Sequence, residues 1–173
     1  REEIGRLLNL WPFTAQVVCI AMLNADTAKG QVIFIADDFE AHSRSVQGIH
    51  FTPVMDEEEL LTQFWEVACH YDQIVTFNGR RFDVPFLYLR SAALDVPISS
   101  KNWLGYRFQT EPHGDLAEQL CFYGVSGREG AARRFNLDFY CKVFGIKSPK
   151  SHGVTGMDVK QLVHEEQIGR AHV

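Results

Sequence analysis

Apolar positions along the chain alternate between short unbroken runs and longer stretches spaced for helices. Gln16-Val17-Val18-Cys19-Ile20-Ala21-Met22-Leu23 is nearly continuous in apolar character and reads as a strand. Asn24 to Gly30 supplies turn chemistry, and Gln31 to Ala36 is apolar again, which predicts an antiparallel hairpin with a moderately long loop. Residues 37–52 are polar and follow neither period, so a surface excursion is expected there. From Asp56 the spacing becomes helical: Leu60, Phe64, Ala68 and Tyr71 form one stripe, joined by Leu61 and Trp65. Asp56 with Glu59 is a near capping box, and acid in a first turn suits the helix dipole. The run Asp56 to Glu59 therefore predicts a solvated helix start, not a metal site.

The next apolar β-branched run, Gln73 to Phe77, stops at Asn78-Gly79. Two arginines follow, and Asp83 then opens a segment with helical spacing to about Leu94. A strand thus delivers one carboxylate to a strand-to-helix turn, and in open α/β sheets ligands bind in the crevice outside the carboxyl ends of strands. Asp83 also suits a helix N-cap ahead of Val84-Pro85, because proline is welcome in a first helical turn. Beyond it, Asp95 to His113 reads as a connector or a substrate wall. Its Trp103, Tyr106 and Phe108 suit either a core lid or a stacking platform for unpaired bases. A helix capped by Asp115 runs to Cys121, and capping is preferred to a metal role for Asp115 and His113. Leu137, Tyr140, Cys141, Phe144 and Ile146 give a helix face closed by Gly145. A basic loop, Lys147 to Gly153, leads to a final helix from Asp158 to about Glu166. No repeat, low-complexity segment or linker interrupts the 173 residues, which predict a single domain with a sufficient core.

Composition narrows the function classes. The four cysteines, Cys19, Cys69, Cys121 and Cys141, are widely scattered and are expected to be reduced core thiols. No apolar run has the length needed to cross a bilayer, and the opening Arg1 to Arg6 does not resemble a signal peptide, so a soluble, cytoplasmic protein with no membrane partner is expected. A net charge of −5 argues against coating nucleic acid by bulk electrostatics. It is compatible with a nuclease, because a site built of carboxylates is acidic until cations fill it.

Asn78-Gly79-Arg80-Arg81-Phe82-Asp83-Val84-Pro85-Phe86-Leu87 resembles the second exonuclease motif, Asn-Gly-x-x-Phe-Asp-x-Pro-Phe/Tyr-Leu, of the DEDD 3′–5′ exonucleases. In particular it is similar to the proofreading domain of family-B DNA polymerases. The resemblance implies a ribonuclease H-like α/β fold, a mixed central sheet flanked by helices. It implies removal of nucleotides from a single-stranded 3′ end, of DNA in preference to RNA. Two Mg2+ or Mn2+ ions about 4 Å apart would clamp the attacking and departing oxygens, and the nucleophile would be water, since no Ser/His/Asp arrangement stands out. By that pattern Asp83 is the third of four acidic positions and a metal ligand. The resemblance likewise implies that Asn78 and Phe82 lie near the terminal nucleotides.

Arg81 and Lys150 are candidate phosphate contacts. Lys150 belongs to a locally basic segment with Arg128, Arg133, Arg134, Lys142 and Lys147. The family's other acidic positions, an Asp-x-Glu pair on the first strand and an Asp in a late helix, are not visible, which leads us to expect a domain without its first strand and last helix in this stretch. The alternative is a non-catalytic nucleic-acid-binding or scaffold module with an incomplete metal site.

Overall fold

The computed structural model describes residues 11–37, 43–99, 102–125 and 132–149. They divide into two compact units, one holding the described residues up to 68 together with 87–99, the other holding 69–86 and those from 102 onward. Lys150 and the helix expected over 158–166 lie outside the described residues.

In the first unit, strands β1 (Cys19–Leu23) and β2 (Gly30–Ile35) form the expected antiparallel hairpin, with Cys19 opposite Phe34 and Leu23 opposite Gly30. Its loop is held by the Asn24 side-chain oxygen, which accepts from the backbone N–H groups of Asp26 and Thr27, each at 3.0 Å. The stretch expected to be an irregular excursion instead contains β3 (Arg44–Val46) and β4 (Ile49–Val54). Gln47 and Gly48 take φ of 50° and 85°, the backbone of a tight hairpin turn. Polar Ser45, His50 and Thr52 hide the strand period. The sheet order is β1-β2-β4-β3, with β2 and β4 parallel and the other neighbours antiparallel. Val32, Phe34 and Phe51 form a buried cluster with Cys19, Val46 and Ile49 packed against it, and the Arg44 guanidinium lies 4.8 Å over the Phe51 ring.

Helix α1 (Glu57–Ala68) packs on this sheet and buries Leu60, Leu61, Phe64, Trp65 and Ala68. Asp56 caps it, its Oδ1 accepting from Glu59 N–H at 2.9 Å, while Glu59 Oε2 reaches one residue further back than a capping box requires and accepts from Met55 N–H at 2.9 Å. Two expectations are corrected. Tyr71 falls beyond the helix end and is exposed. Glu57 is buried, not solvated, because it receives a bidentate pair from Arg90 at 2.8 and 2.5 Å and the Val17 N–H at 2.7 Å. Arg90 belongs to helix α2 (Asp83–Ala93), whose residues from Leu87 lie in this unit, and it also donates to the Pro12 carbonyl at 2.8 Å. The Trp65 indole N–H donates to buried Ser91 Oγ at 2.8 Å, which satisfies both polar groups.

In the second unit, β5 (Ile74–Thr76) pairs in parallel with β6 (His113–Asp115), placing Thr76 opposite Asp115. Short helix α3 (Leu116–Gln119) follows at once, capped by Asp115 as expected, and α4 (Leu137–Val143) is capped by Asn136. Gly145, at φ +67°, lies just beyond α4, where the chain leaves the helix in the left-handed region. Tyr140 and Cys141 are buried, but Phe144 and Ile146 are exposed, so the apolar face of α4 is narrower than its spacing suggests. Trp103 is core, whereas Tyr106 and Phe108 are exposed. Cys121 and Cys141 are buried and Cys19 partly so, its thiol pushed up to about 11 by burial. Cys69 is exposed because it follows the last turn of α1, so it is not a core thiol. The architecture is α/β, a mixed sheet with helices against it, as the pattern and the resemblance lead one to expect.

Candidate active site

Strand β5 is short because its last residue meets a turn that the sequence fixes. Asn78 is left-handed at φ 70°, a conformation asparagine tolerates better than most residues. Gly79 packs so closely on Thr76 that an added Cβ would lie 2.3 Å from Thr76 Oγ1. From this turn the chain enters α2: Arg81 N–H donates to the Asn78 carbonyl at 3.2 Å, and Val84 N–H donates to the Gly79 carbonyl at 2.9 Å. Pro85 sits in the first turn of α2, where its missing N–H costs no helical hydrogen bond.

Asp83 is the first residue of α2 and its side chain is exposed. Phe86 N–H bonds to the Phe82 carbonyl at 2.9 Å, so the capping position falls to Phe82 and not to Asp83. The protein beneath the Asp83 carboxyl removes enough water to push its pKa up, the largest influence on it. Its backbone hydrogen bond opposes the rise, the charge of Asp115 adds to it and His113 opposes it.

Asp115 and His113 form the support below. Asp115 is buried, and its carboxylate accepts from three backbone donors: Asn78 N–H at 2.8 Å and Ala117 N–H at 3.0 Å on Oδ1, and Arg80 N–H at 3.1 Å on Oδ2. His113 is fully buried. Its Nδ1 lies 3.1 Å from the Trp103 carbonyl, which can only accept, so Nδ1 carries the proton and Nε2 accepts from the Thr76 hydroxyl at 2.8 Å. Thr76 Oγ1 in turn accepts from Gly79 N–H at 3.2 Å. Burial, the largest influence on it, holds the imidazole below its ordinary pKa, in keeping with this neutral tautomer.

The two arginines of the motif part company. Arg80 turns inward, onto backbone carbonyls. Its side chain is only 8% exposed and donates to the carbonyls of Gly105, Gln109 and His113 at 3.1, 3.4 and 3.1 Å. Its Nε stands 3.8 Å from Glu118 Oε2, too far for a hydrogen bond, while Arg107 Nε donates to Glu118 Oε1 at 2.9 Å. Arg81 is exposed, as is Phe82, whose ring lies 5.6 Å from that of Phe86. Asn78 is half-buried, and its side-chain oxygen accepts from Arg134. Arg134 comes from the basic segment, 56 positions away, and only the fold brings it to the motif.

The donor chemistry of Asp83 fits one ligand position for a hard divalent cation: exposed carboxylate oxygens, with a pKa raised by desolvation that a cation would relieve. Asp115 and His113 have their ligating atoms committed to hydrogen bonds, and among the described residues no group of three His, Cys, Asp or Glu is placed to hold a metal ion. An open cleft of about 710 Å³, lined by Asp72, Gln73, Asn102, Glu111 and Pro112, lies at the start of β5, whereas the motif follows its end.

Comparison with known proteins agrees with this motif. The family described as a predicted 3′–5′ exonuclease related to the exonuclease domain of PolB matches residues 13–172. This chain belongs to that family. It is also 27% identical to DNA polymerase 1 of Saccharolobus solfataricus over 170 residues, covering 92% of the chain and 19% of the polymerase. DNA polymerase 1 of Sulfolobus acidocaldarius is 25% identical over 158 residues, covering 85% and 18%, and that of Sulfurisphaera ohwakuensis 28% over 129, covering 70% and 15%. The chain therefore spans less than a fifth of the length of these relatives. Among the described residues no helix is long and apolar enough to cross a membrane.

Proposed function

We propose that this chain is a metal-dependent 3′–5′ exonuclease module that shortens single-stranded DNA from its 3′ end, with Asp83 as one ligand of a divalent-metal site. The exposed Asp83 carboxylate at the start of α2 carries the reading, set by the turn after β5, which is hydrogen-bonded to Asp115 of β6 and leads into α2. Two Mg2+ or Mn2+ ions, when bound, would supply charge neutralisation at the phosphodiester and activation of water. The remaining carboxylates would come from outside the described residues. Asn78 would meet the terminal nucleotide through its amide, Phe82 would pack against the sugar or base, and exposed Arg81 would meet a phosphate. Lys150 would add charge along the strand without reading its sequence. The relatives' name, DNA polymerase, supports DNA as the substrate.

The commitment of Asp115 and His113 to hydrogen bonds favours a second reading, a nucleic-acid-binding module that keeps the shape without a complete metal set. Calorimetric titration of the full protein with manganese(II) separates the two. Binding weakened at least about tenfold by Asp83→Asn is expected, the scale on which lost metal contacts are felt. An isotherm that Asp83→Asn leaves unchanged removes Asp83 from the metal site.

A further inference from the structure

Asp115 is a buried carboxylate that the reaction does not use directly, and its surroundings explain what it is for. The turn from Asn78 to Arg80 points two backbone N–H groups, those of Asn78 and Arg80, at one spot, and the Asp115 carboxylate fills it at 2.8 and 3.1 Å. Such converging amides make a concavity for an anion. Here the anion is the protein's own, and its bonds are charge-assisted and shielded from water, which makes them strong and directional. The same carboxylate caps α3 through Ala117 N–H at 3.0 Å. With both oxygens occupied and the residue only 3% exposed, Asp115 is in no position to ligate a cation.

What it does fix is the path into α2. The Asn78 and Gly79 carbonyls receive the N–H groups of Arg81 and Val84, which flank Asp83 on either side in sequence. A shift of the turn is therefore passed to the first residue of the helix. Thr76 and His113 brace Gly79 from below, but through a single neutral hydrogen bond to that glycine.

We infer that Asp115 is a positioning residue of the exonuclease site, its carboxylate filling the Asn78–Arg80 turn and so setting where the Asp83 carboxylate stands. This rests on the reading of Asp83 as a metal ligand.

Manganese(II) titration of the full protein tests it in five forms: parent, Asp83→Asn, Asp115→Asn, the double variant and Asp56→Ala. Asp56 caps α1, which belongs to the other compact unit, and serves as a helix-cap control. Asp115→Asn is expected to weaken binding about 10- to 100-fold, as loss of a ligand's supporting partner does. The same change should add nothing once Asp83 is Asn, and Asp56→Ala should lower the melting temperature without altering affinity. Parent-like affinity in folded Asp115→Asn overturns the inference, as does an equal loss in Asp56→Ala or a further loss in the double variant. Should Asp115→Asn fail to fold, Asp115→Ser keeps a cap for α3 while vacating the turn, and parent-like affinity there is equally fatal. If Asp83→Asn itself changes nothing, the metal reading falls and this inference with it. If Asp83→Asn weakens binding but Asp115→Asn does not, only the positioning role is lost.

Discussion

Neighbouring residues of one motif take opposite parts. Arg80 turns inward and ties three carbonyls of the connector, while Arg81 faces solvent. No local pattern reveals the inward course of Arg80, because its partners lie 25 to 33 positions away. The two aspartates divide in the same manner: Asp83 is exposed, and Asp115 is spent on backbone N–H groups. His113 carries a pH dependence. Its folded pKa is depressed, so the unfolded chain takes up a proton first and the folded state loses stability as pH falls below the ordinary histidine value of about 6.5. The loss continues until the lowered folded pKa is passed. Urea unfolding from pH 8 to 5 should show stability falling with pH in the parent and a flatter profile in His113→Gln. A profile with the same slope in both proteins would show that His113 is not the group responsible. Asp83 acts in the other sense, since its raised pKa makes its ionised form costly to the fold, a cost absent once the pH is below the ordinary carboxylate range.

At the scale of elements, the hairpin, α1, α2 and α4 were legible because each carries a continuous apolar run or a helical stripe. The β3–β4 pair and β6 were not. The former shows only polar residues on its outward positions, and β6 is His113-Gly114-Asp115, a strand defined by pairing with β5 and not by apolar character. Glu57 was misread for a related reason: a first-turn glutamate suits solvent until a distant arginine is known to reach it. That pair ties α1 to Arg90 of α2 and, through Pro12 and Val17, to the lead-in of β1. Glu57→Ala leaves the Arg90 guanidinium partly buried without its carboxylate and should cost about 3–5 kcal/mol. Chemical denaturation measures it, and a cost under about 1 kcal/mol would mean the pair is no more than a surface contact.

For the whole molecule, a net charge of −5 and a single exposed motif carboxylate look at first unlike a protein that handles DNA. They are reconciled if cations complete the site, since a carboxylate raised by desolvation and by Asp115 gains most from a bound cation. The fold class and the place of Asp83 at a strand-to-helix turn were readable because one contiguous motif contains the strand end, the turn and the helix start. The Asp115 support and the approach of Arg134 to Asn78 were not, because each depends on residues brought together from 35 to 56 positions apart. The most direct measurement is digestion of a 5′-labelled single-stranded DNA by the full protein in magnesium. The account predicts products shortened stepwise from the 3′ end, arrest by chelator, and a rate at least about a hundredfold lower in Asp83→Asn, the scale of lost electrostatic stabilisation in an active site. Equal rates for parent and Asp83→Asn, or no degradation by the parent, would contradict it.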